Sequence, residues 1–225
     1  MNEDRHFVIN PLRPLDELFG LAREASPPDE SGAFRASDFV LLSDVDPRIR
    51  KDLRYASTRN FLGTRIYTGA RALMQRPAAE ALRLVQDDLE RRGLGLVVYD
   101  AYRPWWVTWL FWEATPPEYR TFVATPSIGS RHNRGCAVDL GLVDLSSGLE
   151  LPMPSGYDEF TERAYTDYRG GPASHLVNRE LLISTMHEHE FTVYRAEWWH
   201  FDYEDWSRYR IGNQVFEEIA TESSG

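Results

Sequence analysis

The spacing of apolar residues from residue 38 onward predicts helices and strands in a mixed order. In residues 78–92, Leu82, Val85 and Leu89 recur at the spacing of one helical face, with a proline before the segment and a glycine after it. Residues 94–99 instead form a short continuous apolar run, which is typical of a buried strand. The two segments together predict a helix that packs against a sheet.

The remaining segments predict further elements on both sides of this pair. Helices are predicted at residues 105–113 and 175–188, strands at residues 39–43, 136–143, 191–194 and 198–201, and a terminal helix from Asp205 that frays at residues 221–225. Helices and strands follow one another without a regular βαβ order, and no internal repeat is present. We therefore expect an α+β fold with a central antiparallel sheet and flanking helices.

Residues 1–37 differ in character from the rest of the chain. Residues 14–23 form a short amphipathic segment, and residues 26–32 have the proline, serine and glycine content of a linker. The sequence therefore predicts an N-terminal extension over residues 1–37 and one domain over residues 38–225.

Composition excludes several classes of partner. A formal net charge of −10 makes nucleic acid and anionic membranes unfavourable partners, because both are polyanions. The single cysteine, Cys136, allows no internal disulfide, and acidic residues stand where a signal peptide would be basic. No run approaches the ~20 apolar residues of a membrane span. These features predict a cytoplasmic protein and leave its oligomeric state open.

Residues 130–139 contain the first group of candidate functional residues. His132 and Asp139 are seven positions apart, and the small residues Ala137 and Gly141 share the strand face of Asp139. Imidazole nitrogen and carboxylate oxygen both suit zinc. From these residues alone, a buried aspartate that caps a turn and a surface histidine remain the alternative.

Residues 197–200 contain the second group. Glu197 and His200 offer a general base and a metal ligand, but positions i and i+3 point to opposite faces of a regular strand. Convergence of the two side chains therefore requires a bend or bulge. Without one, the segment is an aromatic core strand with an incidental glutamate and histidine.

Arg103, in the segment Asp100-Ala101-Tyr102-Arg103-Pro104, is the third candidate. A guanidinium at the end of a buried strand is suited to stabilise a developing oxyanion, whereas an ion pair with Asp100 is the structural alternative. The cluster at residues 187–190 lacks the helical His-Glu-x-x-His order and is interpreted as a solvated helix end. His6 and His175 are not placed in the site.

Taken together, these segments resemble zinc peptidases of the VanX-type D-alanyl-D-alanine dipeptidase family, which are related to D,D-carboxypeptidases and to the hedgehog zinc domain. The pattern Ser-x-His-x-x-Gly-x-Ala-x-Asp is matched at residues 130–139, and Glu-x-x-His is matched at residues 197–200. Residues 53–63, 100–104 and 152–158 add features of the dipeptidase branch. The resemblance covers residues 38–205.

The resemblance implies a role for each matching position. His132, Asp139 and His200 are expected to hold one zinc ion per chain, Glu197 to act as the base and Arg103 to stabilise the transition state. Ser130, Tyr55 and Asp158 are expected to lie near a bound small dipeptide, the substrate expected from the family. The expected site therefore consists of these eight residues.

Two departures from the family pattern bear on specificity. The connection between Arg103 and Ser130 is short, and residues 1–37 extend the N-terminus. A D,D-carboxypeptidase or peptidoglycan peptidase that acts on larger substrates therefore remains an alternative. A zinc-stabilised binding domain without catalysis is a third hypothesis, against which the presence of both Glu197 and Arg103 argues.

Overall fold

The chain forms a five-stranded sheet with helices packed around it and a small two-stranded sheet beside it. The structure is a computed structural model and describes residues 6–219. Its strands are β1 (Phe39–Leu41), β2 (Arg50–Lys51), β3 (Leu73–Gln75), β4 (Leu94–Asp100), β5 (Ala137–Asp144), β6 (Phe191–Val193) and β7 (His200–Tyr203). Its α-helices are α1 (Leu15–Glu24), α2 (Leu42–Val45), α3 (Arg76–Glu90), α4 (Trp105–Ala114) and α5 (Ala173–His187).

The strand order of the larger sheet is β2-β4-β5-β7-β6, and every pair is antiparallel except the short parallel pair of β2 and β4. The smaller sheet pairs β1 with β3. The mixed α+β class predicted from the sequence is confirmed. The central strands β4 and β5 are buried along almost their whole length, which agrees with their continuous apolar runs.

The register of the sheet places three polar residues side by side at one end. Asp139 on β5 is paired with Asp100 on β4 and with His200 on β7. Neighbouring strands lie about 4.8 Å apart, so this register brings the three side chains within reach of one another. The register of the sheet therefore groups these polar side chains at one end of the sheet.

Three helices agree with the predicted helical segments. Helix α3 has Pro77 in its first turn and buries Leu82, Val85 and Leu89, the three residues of the predicted apolar face. Helices α4 and α5 cover the other two predicted segments within a few residues.

Two predicted strands have different bounds in the structure. Strand β1 ends at Leu41, because Leu42 begins the short helix α2. The predicted strand at residues 198–201 begins only at His200, since Trp198 and Trp199 belong to the turn between β6 and β7. The first strand is therefore shorter than predicted, and the second is shifted by two residues towards the C-terminus.

The predicted terminal α-helix from Asp205 was wrong. Two short 3-10 helices, Glu204–Arg208 and Phe216–Glu218, are separated by non-helical backbone. Gly212 explains the interruption, because its N–H donates to the carbonyl of Asn133 and its carbonyl accepts from Trp105 N–H. These tertiary hydrogen bonds use backbone groups that a helix would need for itself. The predicted fraying at residues 221–225 lies outside the described residues.

The segment before residue 38 contributes to the common core. Leu18 and Ala22 of α1 are fully buried, and α1 packs on α4. The predicted linker at residues 26–32 has neither helix nor strand, yet Glu30 forms an ion pair of 2.7 Å with Arg134. The domain boundary at residue 38 stays a prediction. Within residues 6–219, none of the helices combines the length and apolar character needed to cross a membrane.

Candidate active site

Three donor atoms from His132, Asp139 and His200 meet at one point beside the end of the sheet. His132 Nε2 lies 3.2 Å from Asp139 Oδ1 and 3.1 Å from His200 Nδ1, and Asp139 Oδ1 lies 3.1 Å from His200 Nδ1. Among the residues that the structure describes, this trio alone is grouped closely enough to hold a metal ion. The first two sequence motifs thus form one cluster.

A short 3-10 helix, Arg131–Arg134, presents His132 to this cluster. The Ser130 hydroxyl caps it by accepting a hydrogen bond from His132 N–H, and Asn133 Oδ1 accepts a hydrogen bond from Ser130 N–H. Gly135 ends the helix with φ +68°, and a Cβ at that position would lie 2.4 Å from the ring of Phe39. The glycine of the motif therefore allows the chain to turn directly into β5.

Each imidazole uses its remaining nitrogen to fix its orientation. His132 Nδ1 lies 2.6 Å from the carbonyl oxygen of Ala101, so that nitrogen carries the proton. His200 Nε2 lies 2.9 Å from Asp202 Oδ1. The nitrogens that face the shared point are thus available as ligands, in the arrangement typical of metal-binding histidines.

The donor set and its spacing fit a divalent ion such as zinc. Two imidazole nitrogens and one carboxylate oxygen form a common ligand set for catalytic zinc. Ligand atoms about 2.0–2.1 Å from a tetrahedral zinc ion lie roughly 3.3 Å apart, close to the spacing of the trio. Three converging lone-pair donors repel one another unless positive charge lies between them.

The shifted pKa values of Asp139 and His200 agree with a site that binds a cation. Burial opposes ionisation of Asp139, but the imidazoles of His132 and His200 outweigh it and hold the pKa of that carboxyl far below its usual range. Burial lowers the pKa of His200, whereas Asp202 and Asp139 raise it, and the net pKa is well above the ordinary imidazole value. The cluster therefore stabilises positive charge, from a proton or from a cation.

Glu197 lies next to the trio and points into the same cavity. It belongs to the turn between β6 and β7, where His200 N–H donates to the carbonyl of Glu197. Its Oε2 lies 3.8 Å from His200 Nδ1. The turn supplies the bend that the sequence required for residues three positions apart to converge. Burial raises the pKa of Glu197 to about 8, and His200 opposes that shift only in part.

Arg103 also lines the cavity and forms the ion pair with Asp100 that was its structural alternative. Its guanidinium donates to Asp100 at 2.8 and 2.9 Å and lies 3.6 Å from Asp139 Oδ2. Its charged group also lies over the rings of Tyr55 and Phe111, at 5.2 and 4.9 Å from their centres. The ion pair therefore fixes the guanidinium, which still lines the cavity.

The three residues expected near the substrate also line the cavity. Asp158 is buried, accepts hydrogen bonds from the hydroxyl of Tyr55 at 3.0 Å and from Phe61 N–H at 3.3 Å, and has a left-handed φ of 57°. Burial and the nearby charge of Asp139 raise the pKa of Asp158 to about 8. Ser130 lies beside His132, where its hydroxyl caps the 3-10 helix.

The cavity has a volume of about 120 Å³ and combines this polar floor with an aromatic wall. Phe122 and Phe160 stack with ring centres 4.8 Å apart and an angle of 1° between their planes. Phe122 belongs to the short connection between Arg103 and Ser130, so that connection forms part of the wall. Phe7 packs against Phe160, with ring centres 5.5 Å apart.

Two supporting residues escaped the sequence analysis. Asp202 bonds His200, and the hydroxyl of Tyr157 donates to Asp139 Oδ2 at 2.9 Å. Asp202 shares a strand face with His200 at i+2, a spacing that identifies it as a partner once the strand is known. Tyr157 reaches the site through a loop, for which the sequence offers no periodic signal.

The histidine cluster at residues 187–190 lies elsewhere. His189 Nε2 lies 2.8 Å from Asp88 Oδ2, and His187 and Glu188 are exposed. The cluster is the polar end of α5, in agreement with its interpretation as a solvated helix end.

Comparisons with known proteins point to one family. Residues 35–220 match the family model of Peptidase M15, described as D-ala-D-ala dipeptidase. The D-alanyl-D-alanine dipeptidase of Escherichia coli strain K12 is 37% identical over 167 residues, which cover 74% of this chain and 84% of that protein.

Two further relatives have the same name and similar coverage. The D-alanyl-D-alanine dipeptidase of Streptomyces coelicolor is 32% identical over 182 residues, covering 73% of this chain and 90% of the relative. That of Enterococcus faecium is 31% identical over 181 residues, covering 72% of this chain and 90% of the relative.

Proposed function

This chain belongs to the Peptidase M15 family of D-Ala-D-Ala dipeptidases, and from that membership we propose that it hydrolyses D-alanyl-D-alanine, or a similar small dipeptide, with one bound zinc ion. The observation that carries the proposal is the convergence of His132, Asp139 and His200 in one cavity with Glu197 and Arg103. A structural metal site would need neither of the last two residues.

His132, Asp139 and His200 are the proposed zinc ligands. Three protein ligands leave a position for water, as in catalytic rather than structural zinc sites. A zinc ion held by these residues would supply a Lewis acid for the scissile carbonyl and would lower the pKa of the attacking water towards ~7. The orientation of the ligands comes from Ala101 and Asp202, which hold the two rings by their outer nitrogens.

Glu197 is the proposed general base and acid. Its carboxylate takes a proton from the attacking water and returns it to the amine that leaves when the peptide bond breaks. The buried position that raises the pKa of Glu197 favours a carboxyl able to hold this proton near neutral pH. The distance of 3.8 Å between Glu197 Oε2 and His200 Nδ1 supports this role, because the carboxylate lies beside a proposed ligand.

Arg103 is the proposed partner of the developing oxyanion. Its two contacts to Asp100 and its position over Tyr55 fix the guanidinium before substrate binds. A preorganised cation needs no rearrangement as the carbonyl oxygen gains negative charge, so its stabilisation is realised in the transition state.

Asp158, Tyr55 and Ser130 are the proposed substrate-binding residues. Asp158 offers a carboxyl group for the free ammonium of the dipeptide, held in place by the Tyr55 hydroxyl and by a backbone N–H. Burial raises the pKa of Asp158, and an ammonium beside it would favour the ionised form. Such a contact selects substrates with a free amino terminus close to the scissile bond.

The experiment that tests this function is hydrolysis of a panel by the zinc-loaded protein. The panel contains D,D, L,D and L,L alanine dipeptides and a muropeptide. We expect release of free alanine from the D,D dipeptide, with little cleavage of the muropeptide because the cavity is small. Preferred cleavage of the muropeptide would instead support the carboxypeptidase alternative, and no cleavage at all would support a non-catalytic zinc domain. A cytoplasmic location remains part of the proposal.

A further inference from the structure

Tyr157 connects the proposed metal site to the loop that carries Asp158. Its hydroxyl donates to Asp139 Oδ2 at 2.9 Å, and its side chain is buried among aromatic rings. The ring centres of Tyr99 and Trp199 lie 4.9 and 5.5 Å away. Packing on several sides fixes the ring and therefore the direction in which its hydroxyl points.

The two oxygens of Asp139 have separate partners. Oδ1 faces the nitrogens of His132 and His200, whereas Oδ2 accepts the hydrogen bond from Tyr157 and lies 3.6 Å from Arg103. A carboxylate whose second oxygen is engaged in this way offers only its first oxygen to a metal. The arrangement also prevents rotation of the carboxylate about its bond to the Cβ atom.

We propose that Tyr157 is a positioning residue that holds Asp139 as a single-oxygen ligand of the metal. This inference rests on the proposed function only in assigning the metal to the trio. Among residues 6–219, the other group beside Asp139 Oδ2 is the Arg103 guanidinium at 3.6 Å, which is paired more closely with Asp100, at 2.8 Å. Loss of a hydrogen bond to a metal ligand commonly reduces metal affinity or activity about 10–100-fold.

The neighbouring Asp158 allows the role of Tyr157 to be separated from substrate binding. Asp158 is held by Tyr55 and Phe61, and neither of these hydrogen bonds involves Tyr157. Removal of the Tyr157 hydroxyl therefore leaves the proposed ammonium site in place. We expect an effect on metal affinity and kcat, with KM for the dipeptide largely unchanged.

Tyr157→Phe removes the hydroxyl and keeps the ring, so packing and fold are expected to persist. Tyr99→Phe is the matched control, because its hydroxyl bonds Glu150 at 2.7 Å and its ring lies against that of Tyr157. Zinc affinity is measured by competition with a chromophoric chelator, and coordination by the visible absorption of the cobalt-loaded protein. kcat and KM are then measured at saturating zinc.

We expect Tyr157→Phe to bind zinc about 10–100-fold more weakly and to change the cobalt spectrum, while Tyr99→Phe resembles the wild type. Wild-type zinc affinity and an unchanged cobalt spectrum in Tyr157→Phe would overturn the inference. The metal measurements need no substrate, so they separate the two proposals. A weaker zinc site in a protein that cleaves no dipeptide would refute the function and leave the role of Tyr157 intact.

Discussion

Asp139 on β5 and His200 on β7 are paired residues of the antiparallel register, and their Oδ1 and Nδ1 atoms lie 3.1 Å apart. The two residues are 61 positions apart in sequence. The sheet thus supplies two of the three proposed metal ligands directly, and the capped 3-10 helix before β5 adds His132.

The first prediction concerns Glu197. In Glu197→Ala the zinc content is expected to stay at the wild-type level while kcat falls by about 10²–10⁴, the usual contribution of a general base. Zinc content and turnover of D-Ala-D-Ala are measured on the same sample, with Glu80→Ala, exposed on α3, as the control. Loss of zinc from Glu197→Ala would show that Glu197 is a ligand.

The second prediction concerns Arg103. Arg103→Ala is expected to retain zinc and to lose about 10²–10³ in kcat, because one oxyanion partner is removed. Arg103→Lys retains the charge but not the two hydrogen bonds to Asp100. Its kcat should therefore lie between those of the wild type and Arg103→Ala. Unchanged kcat in Arg103→Ala would exclude the residue from the mechanism.

Asp158 provides the third prediction. Asp158→Asn should raise KM for D-Ala-D-Ala, because the substrate ammonium loses its charged partner. The N-acetylated dipeptide has no ammonium, so its already poor cleavage should not decrease further. Steady-state kinetics of both substrates test this difference. Equal losses on the two substrates would refute the role of Asp158 in ammonium binding.

The fourth prediction concerns stability of the protein after chelation of its metal. Burial raises the pKa of Glu197 and of Asp158 to about 8, above the ordinary values of about 4.3 and 3.9 for the unfolded chain. The folded protein therefore binds more protons than the unfolded chain between pH 5 and 8. The free energy of unfolding must fall as the pH rises through this window.

The raised pKa of His200 acts in the same direction above pH 6.5, because the folded protein keeps a proton that this imidazole releases in the unfolded chain. We expect the Tm of the chelated protein to decrease from pH 5 to pH 8, measured by calorimetry. Glu197→Gln should show a smaller decrease than the wild type. A Tm that is constant or rises over this range would contradict these shifts.

The candidate site residues could be predicted from the sequence mainly through the family resemblance, because they lie in short motifs; the residues alone left structural alternatives open. The residues of the segment from Ser130 to Asp139 meet through one capped turn and one strand, and both have local signals. Glu197 and His200 required a bend, which the sequence indicated as a condition and the structure supplies as a turn.

The parts that escaped prediction depend on contacts between distant segments. Tyr157 reaches Asp139 from a loop, and Gly212 interrupts the predicted terminal helix through hydrogen bonds to Asn133 and Trp105. The linker-like residues 26–32 are connected to the fold by the ion pair of Glu30 with Arg134. None of these contacts leaves a periodic pattern along the chain.

The central claim is that His132, Asp139 and His200 bind one zinc ion on which activity depends. Its most direct test is a titration of the chelated protein with zinc, with bound metal determined by elemental analysis and turnover of D-Ala-D-Ala followed at each step. We predict that activity returns in proportion to bound zinc and saturates at one equivalent, and that His132→Ala/His200→Ala shows neither binding nor recovery. Full activity without metal, or one tightly bound zinc in that double variant, would contradict the account.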